Sequence, residues 1–178
     1  KLRGTWGRVG NSQISGRRFA YLATVKDTND TSYQFGKNMD QTYGTTAIDE
    51  YAVDVTWEIA DKTNIGLDMR LLNNKFNLQF DAFKESRKGI YLRRTSIPSY
   101  FGMINNPYGN IGKVENKGFE LSVNYANSWG GDWSLSLMGN YSFNRNKVLE
   151  DDSTVVYPWQ NTIGNKVGQR FGLVALGL

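Results

Sequence analysis

Residues 64–83, NIGLDMRLLNNKFNLQFDAF, leave this chain little choice of fold. Ile65, Leu67, Met69 and Leu71 alternate with Asn64, Gly66, Asp68 and Arg70, and after Asn73-Asn74 the alternation resumes with Phe76, Leu78, Phe80 and Ala82 against Asn77, Gln79 and Asp81. A period of two is that of a strand, and Asn-Asn supplies the positive φ angles of a two-residue hairpin turn. With Leu72 facing Lys75, the predicted apolar pairs are Leu71 with Phe76, Met69 with Leu78, Leu67 with Phe80 and Ile65 with Ala82. The polar pairs are Arg70 with Asn77, Asp68 with Gln79 and Gly66 with Asp81. A slip of one residue would mix the two faces. The stretch is a hairpin, apolar on one side and polar on the other.

The same signal recurs along the chain. Residues 1–9 alternate Leu2, Gly4 and Trp6 with Arg3, Thr5 and Gly7, and Tyr51, Val53, Val55 and Trp57 read as a strand leading into the hairpin. Residues 12–50 are broken and polar, with a short strand expected at 21–25 and a loop tip at 27–32. A second hairpin sets Phe119, Leu121, Val123 and Tyr125 against Trp133, Leu135, Leu137, Tyr141 and Phe143 across residues 126–132. Placing Tyr125 opposite Trp133 puts Phe119 over Gly139, an aromatic shielding a strand glycine. Residues 171–178 read as the start of a further strand. The connections alternate long (10–51), short (73–74), long (85–112), short (126–132) and long (148–168), as short periplasmic turns and long extracellular loops do in an outer-membrane barrel. A band of ~25 Å crossed by strands tilted ~40° needs roughly 10 residues, which these strands supply. Trp6, Trp57, Phe76, Phe83, Tyr125, Trp133, Tyr141 and Phe143 lie where interfacial girdles would. A soluble sandwich also alternates, but the loop lengths and the Ser/Asn-rich second face favour the barrel.

Composition narrows the chemistry. With no Cys and no His among 178 residues, disulfides, thiolate or imidazole metal sites, a Ser-His triad and a histidine base are excluded. No apolar run approaches the ~18 residues of a membrane helix, whereas a barrel strand is half polar and needs none. The chain opens without a signal peptide and both ends fall within strand-like patterns, as in an internal fragment of a longer protein.

Residues 110–125 (NIGKVENKGFELSVNY) with 132–148 (DWSLSLMGNYSFNRNKV), residues 57–92, and residues 1–11 (KLRGTWGRVGN) resemble, in order and spacing, the late barrel of SusC-like TonB-dependent transporters. The loops, above all residues 12–50, match least. The resemblance implies an all-β antiparallel barrel of about 22 strands, with these residues in its C-terminal half. The signal peptide, any N-terminal extension, the plug, the TonB-contacting segment and the closing strand are expected elsewhere in the longer protein. It also implies TonB-energised import of oligosaccharides or peptides across the outer membrane, with a SusD-like surface lipoprotein as partner and no cofactor.

Candidate sites follow from the faces and loops. Asp68, Asp81 and Glu120 could form an acid/base pair, but with Arg70 and Gln79 they read as lumen-facing groups, paired or solvated against the plug. Glu150-Asp151-Asp152 could hold Ca²⁺ yet lacks further spaced oxygen ligands, and reads as a solvated loop. The basic group 84–94 has no nucleic-acid recognition motif beside it and faces anionic glycolipid or water. The segment 168–172 (GQRFG) lacks the phosphate-loop pattern. No catalytic or metal site emerges. Tyr91, Tyr100, Phe101, Tyr108, Tyr157 and Trp159 fall in the long connections, where rings can stack on sugars, meet the lipoprotein, or pack the loops together. The readings in other classes are a soluble carbohydrate-binding β-sandwich and a passive porin or adhesin barrel.

Overall fold

The computed structural model describes residues 1–13, 18–39, 41–172, 174 and 177, with the backbone alone at 28–31, 41 and 45. Its strands are β1 (Leu2–Asn11), β2 (Thr24–Phe35), β3 (Gln41–Glu50), β4 (Glu58–Leu71), β5 (Phe76–Arg93), β6 (Tyr108–Trp129) and β7 (Trp133–Glu150). Five form one sheet in the order β1-β4-β5-β6-β7, and β2 and β3 pair apart from it. Every pairing is antiparallel.

The first hairpin has the predicted register. Leu71 pairs with Phe76, Met69 with Leu78, Leu67 with Phe80, and Asp68 with Gln79. Its turn is closed by the Lys75 N–H donating to the Leu72 carbonyl at 3.1 Å. Asn73 and Asn74 adopt φ of 55° and 67°, and Leu72 shares the left-handed conformation at 53°.

The second hairpin departs from expectation by four residues. Its strands run on to Trp129 and Trp133, so Tyr125 faces Leu137 and Phe119 faces Phe143. The reason lies in Gly130 and Gly131, at φ of 59° and 85°, which let the chain reverse without the longer connection 126–132. An even shift preserves the faces, so the apolar and polar sets stand. Aromatic shielding of a glycine does occur, but elsewhere. Phe83 pairs with Gly118 on the polar face and its ring lies where a Cβ at Gly118 would be. Phe83 thus lies on the face opposite to the one a girdle would occupy, while the Trp57 ring lies against Gly10.

Three further expectations are corrected. Residues 27–32 are not a loop tip but lie within β2, whose register shifts between Thr28 and Ser32, while the reversal follows at Gly36 and Met39 with φ of 99° and 53°. Residues 51–57 stay outside the sheet, where Asn110 holds Thr56 by accepting from its N–H at 3.0 Å and donating to its carbonyl at 2.9 Å. The long connection 85–112 shrinks, because β5 continues to Arg93 and β6 begins at Tyr108. Of the strand expected from residue 171, positions 173, 175, 176 and 178 lie outside the described residues, and Phe171, Gly172, Val174 and Gly177 are in no strand.

The sheet is a single layer. Among the described residues only Ala20, Ala60 and Tyr91 are buried apolar side chains, while Leu2, Ile65 and Leu137 stand 76%, 56% and 56% exposed. A sandwich would bury such a face against a second sheet, and no described residue covers this one. The β2–β3 hairpin reaches elsewhere, towards residues 104–105, with Asn105 donating to Asp49 at 2.8 Å.

Candidate functional site

Two regions gather the functional groups: the polar face of the sheet and the end carrying the long connections. On the polar face, strand pairing brings Arg3 of β1 beside Gly66 of β4, which in turn faces Asp81 of β5. The missing Gly66 side chain is what makes room, since a Cβ there would meet the Asp81 carboxylate at 2.5 Å and the Arg3 guanidinium at 2.8 Å. The guanidinium reaches Asp68 at 3.0 Å and Asp81 at 3.0 Å. Gln79 donates to Asp81 at 3.2 Å. The expected partner of Asp68, Arg70, makes no ion pair among the described residues and is exposed, as is Glu120. The carboxylates therefore clasp an arginine across three strands instead of facing each other across a gap. Arg3 was legible as a polar-face position, but its partners lie 65 and 78 residues away. Only the sheet order reveals them.

Further along the same strands the charges multiply. Lys62 and Glu85 approach to 3.7 Å, and Arg87 meets Glu58 at 3.1 Å and Glu85 at 2.7 Å. The basic group 84–94 is thus largely strand, not loop.

The acidic run 150–152 has a mechanical task. Asp152 accepts hydrogen bonds from the Thr95 N–H at 3.0 Å and the Ser96 hydroxyl at 2.9 Å, with Arg94 at 3.6 Å. Thr154 returns the contact by donating to the Thr95 carbonyl at 2.8 Å. Asp151 accepts from Thr162 at 2.8 Å, and Glu150 pairs with Lys113 at 3.1 Å. Partial burial acts to raise the Asp152 pKa, but the Ser96 hydroxyl and N–H, the Arg94 charge and the Thr95 N–H outweigh it and hold it below the usual value. Neither reading of the run, Ca²⁺ site or solvated loop, matches this clasp. No group of three or more His, Cys, Asp or Glu placed to hold a metal occurs among the described residues.

The six candidate aromatics form three stacked pairs. Tyr91 lies on β5, buried, and stacks on Tyr108 of β6 at 5.2 Å. Tyr100 and Phe101 stack at 5.6 Å in a short 3-10 turn (Ser99–Phe101), 84% and 64% exposed. Tyr157 and Trp159 stack at 4.5 Å with planes 6° apart, both at least half exposed. A further cluster, Tyr33, Phe35 and Tyr43, sits on the β2–β3 hairpin with ring centroids 4.8 and 5.7 Å apart. Its signal was the Tyr33-x-Phe35 alternation within a stretch read as irregular.

A one-layer sheet, apolar on one face and polar on the other, with short turns at one end and ring-bearing connections at the other, is built as the wall of a transmembrane β-barrel is. The chain belongs to the TonB dependent receptor-like beta-barrel family, whose model matches residues 1–174. It is 30% identical over 151 residues to TonB-dependent receptor P3 of Formosa agariphila, covering 84% of this chain and 14% of that protein. To TonB-dependent receptor SusC of Bacteroides thetaiotaomicron it is 30% identical over 158 residues, covering 86% and 15%. The RagAB peptide importer in its closed-closed state shares the fold at a TM-score of 0.65 and 21% identity, over 92% of this chain and 18% of that one. The chain is an outer-membrane barrel segment, spanning about a seventh of the length of the curated relatives it matches.

Proposed function

We propose that these residues form part of the wall and extracellular rim of an active outer-membrane importer, energised through TonB and working with a SusD-like surface lipoprotein. Its cargo is oligosaccharide or peptide. The observation that carries this reading is the family match over residues 1–174, with identity to SusC and a fold shared with a peptide importer in support. In this reading Asp68, Arg70, Gln79, Asp81 and Glu120, with Arg3, face the aqueous lumen, so the passage carries fixed charge of both signs. Tyr100, Phe101, Tyr157 and Trp159 stand at the mouth. Two coplanar exposed rings offer a flat apolar platform, suited to a sugar face or to side chains of a partner. Tyr91 and Tyr108 hold the wall beneath them.

The test is Trp159→Ala in the full-length transporter, reading uptake and lipoprotein binding beside the amount of folded barrel. Loss of an interface aromatic typically weakens binding by ~2 kcal/mol or more. Weakened uptake or complex formation with normal barrel levels is expected. Unchanged affinity and transport would return Trp159 to packing between loops.

A further inference from the structure

The outward face changes character at one row of the sheet. Up to the row Ile65, Ala82, Phe119 and Phe143 it is apolar, and the Phe119 ring lies 6.0 Å from Phe80 and 5.8 Å from both Tyr141 and Phe143. The next row towards the long connections reads Trp6, Thr63, Lys84, Lys117 and Arg145. Three cations thus stand directly side by side on neighbouring strands. Like charges in directly opposed positions repel and destabilise a sheet unless counter-charge is supplied.

The chain itself supplies little of it. Glu115 reaches Lys84 at 2.9 Å and Lys117 at 3.7 Å, while Arg145 and Lys147, which pairs with Glu115, are exposed and make no ion pair among the described residues. Asp61, in the row of Glu115 and Lys147, is taken by Arg8 at 2.6 Å and lies 4.0 Å from Lys88. Lys84 and Lys117 remain 59% and 64% exposed at the side chain. Four cations therefore face one carboxylate, immediately above an aromatic cluster on the surface that meets lipid.

We infer that Lys84, Lys117, Arg145 and Lys147 bind the phosphate-bearing headgroup of a lipid in the leaflet at the long-loop end, with the acyl chains lying over Phe119, Tyr141 and Phe143. The height decides for a lipid over a soluble anion. Long cationic side chains at the edge of an apolar band extend to the headgroup level, and the rings beneath them fit hydrocarbon. The inference rests on the apolar face meeting lipid.

The test uses the full-length transporter in detergent, offered bisphosphorylated lipid A or the same glycolipid stripped of phosphate, with bound lipid counted by native mass spectrometry. The wild type is expected to prefer the phosphorylated form by at least about tenfold. Lys84→Gln, Lys117→Gln and Arg145→Gln combined should abolish the preference, Arg145→Gln alone should reduce it, and Lys62→Gln on the opposite face should not. Equal binding of both lipids by the wild type, or an intact preference in a folded triple variant, overturns the inference. So does displacement of the lipid by inorganic phosphate, which would mark a free-anion site. A spin label at position 80 separates the levels of failure. Quenching by lipid-soluble probes without a headgroup preference sinks the cation site alone, whereas no quenching at 80 sinks the facing beneath it.

Discussion

Strands β4, β5 and β6 are each built in two ways along their length. In the lower part, residues 76–82 of β5 put Phe76, Leu78, Phe80 and Ala82 outside, and their neighbours across the sheet are apolar too. No described residue covers them, so this part depends on the ladder of backbone hydrogen bonds and on a solvent of lipid. In the upper part, residues 84–93 carry charge on both faces, and Lys84, Glu85, Arg87 and Lys88 all have ion-pair partners. The upper part is organised by polar contacts and capped by the Asp152 clasp. One ladder runs through both, and its side chains answer to two solvents. Charge inserted below and contacts removed above should therefore have different consequences.

The sharpest contrast is between adjacent residues of β5. Phe80→Arg places charge in hydrocarbon near mid-band, at about 2–4 kcal/mol, and should greatly reduce the folded barrel recovered from membranes. Gln79→Arg, one position away on the polar face, should leave recovery near wild type. Equal losses from both would erase the distinction between the faces.

A smaller effect is expected where the two regimes meet. A methyl at Gly118 would run into the Phe143 carbonyl oxygen and the Phe83 ring, so Gly118→Ala should destabilise the barrel by about 1–3 kcal/mol in urea titrations. Gly139→Ala has open space around it and should be neutral or slightly stabilising. The reverse order would restore the pairing of Phe119 with Gly139 that the register excludes.

The smallest effect belongs to the loop end. Asp152→Asn keeps an acceptor but loses the charge that Arg94 and the Ser96 and Thr95 donors favour, about 1 kcal/mol. Hydrogen exchange should speed up in residues 94–96 and 151–154 and stay unchanged in the lower strands. Because the folded pKa of Asp152 lies below the ordinary carboxylate value, its contribution is complete above that value and fades as pH falls through the lowered one. Acidification should thus reproduce the variant in the wild type. Exchange that ignores both would show that the clasp holds nothing.

The two hairpins show what was legible in the sequence. At Asn73-Asn74 the turn residues and the alternation both point to one register, and it is the one found. At Trp129-Gly130-Gly131-Asp132 the alternation permits several registers two residues apart, and only the position of the glycines selects among them. Reading all of 126–132 as the connection, with Tyr125 opposite Trp133, misplaced the register by four while leaving every face intact. The β2–β3 hairpin was hidden by the mid-strand irregularity that its 27–32 segment introduces, since polar residues around a register shift read as a tip. Of the candidate site, the composition of the polar face was legible because it needs only period two. The Arg3 cluster, the Asp152 clasp and the cation row were not, because each joins residues through strand order. The six candidate aromatics were named one by one, and their pairing into stacks, two of them in loops and one between β5 and β6, is a matter of backbone path.

The length of β6 has a consequence of its own. It runs unbroken from Tyr108 to Trp129, and on the facing proposed above the part from Phe119 onward is the part beside hydrocarbon. The remainder, from Tyr108 to Lys117, rises about 25 Å past the edge of the lipid at the usual strand tilt. A wall of that height works as a collar. On that facing it carries the rim clear of the lipid, stiffened as sheet nearly to its edge.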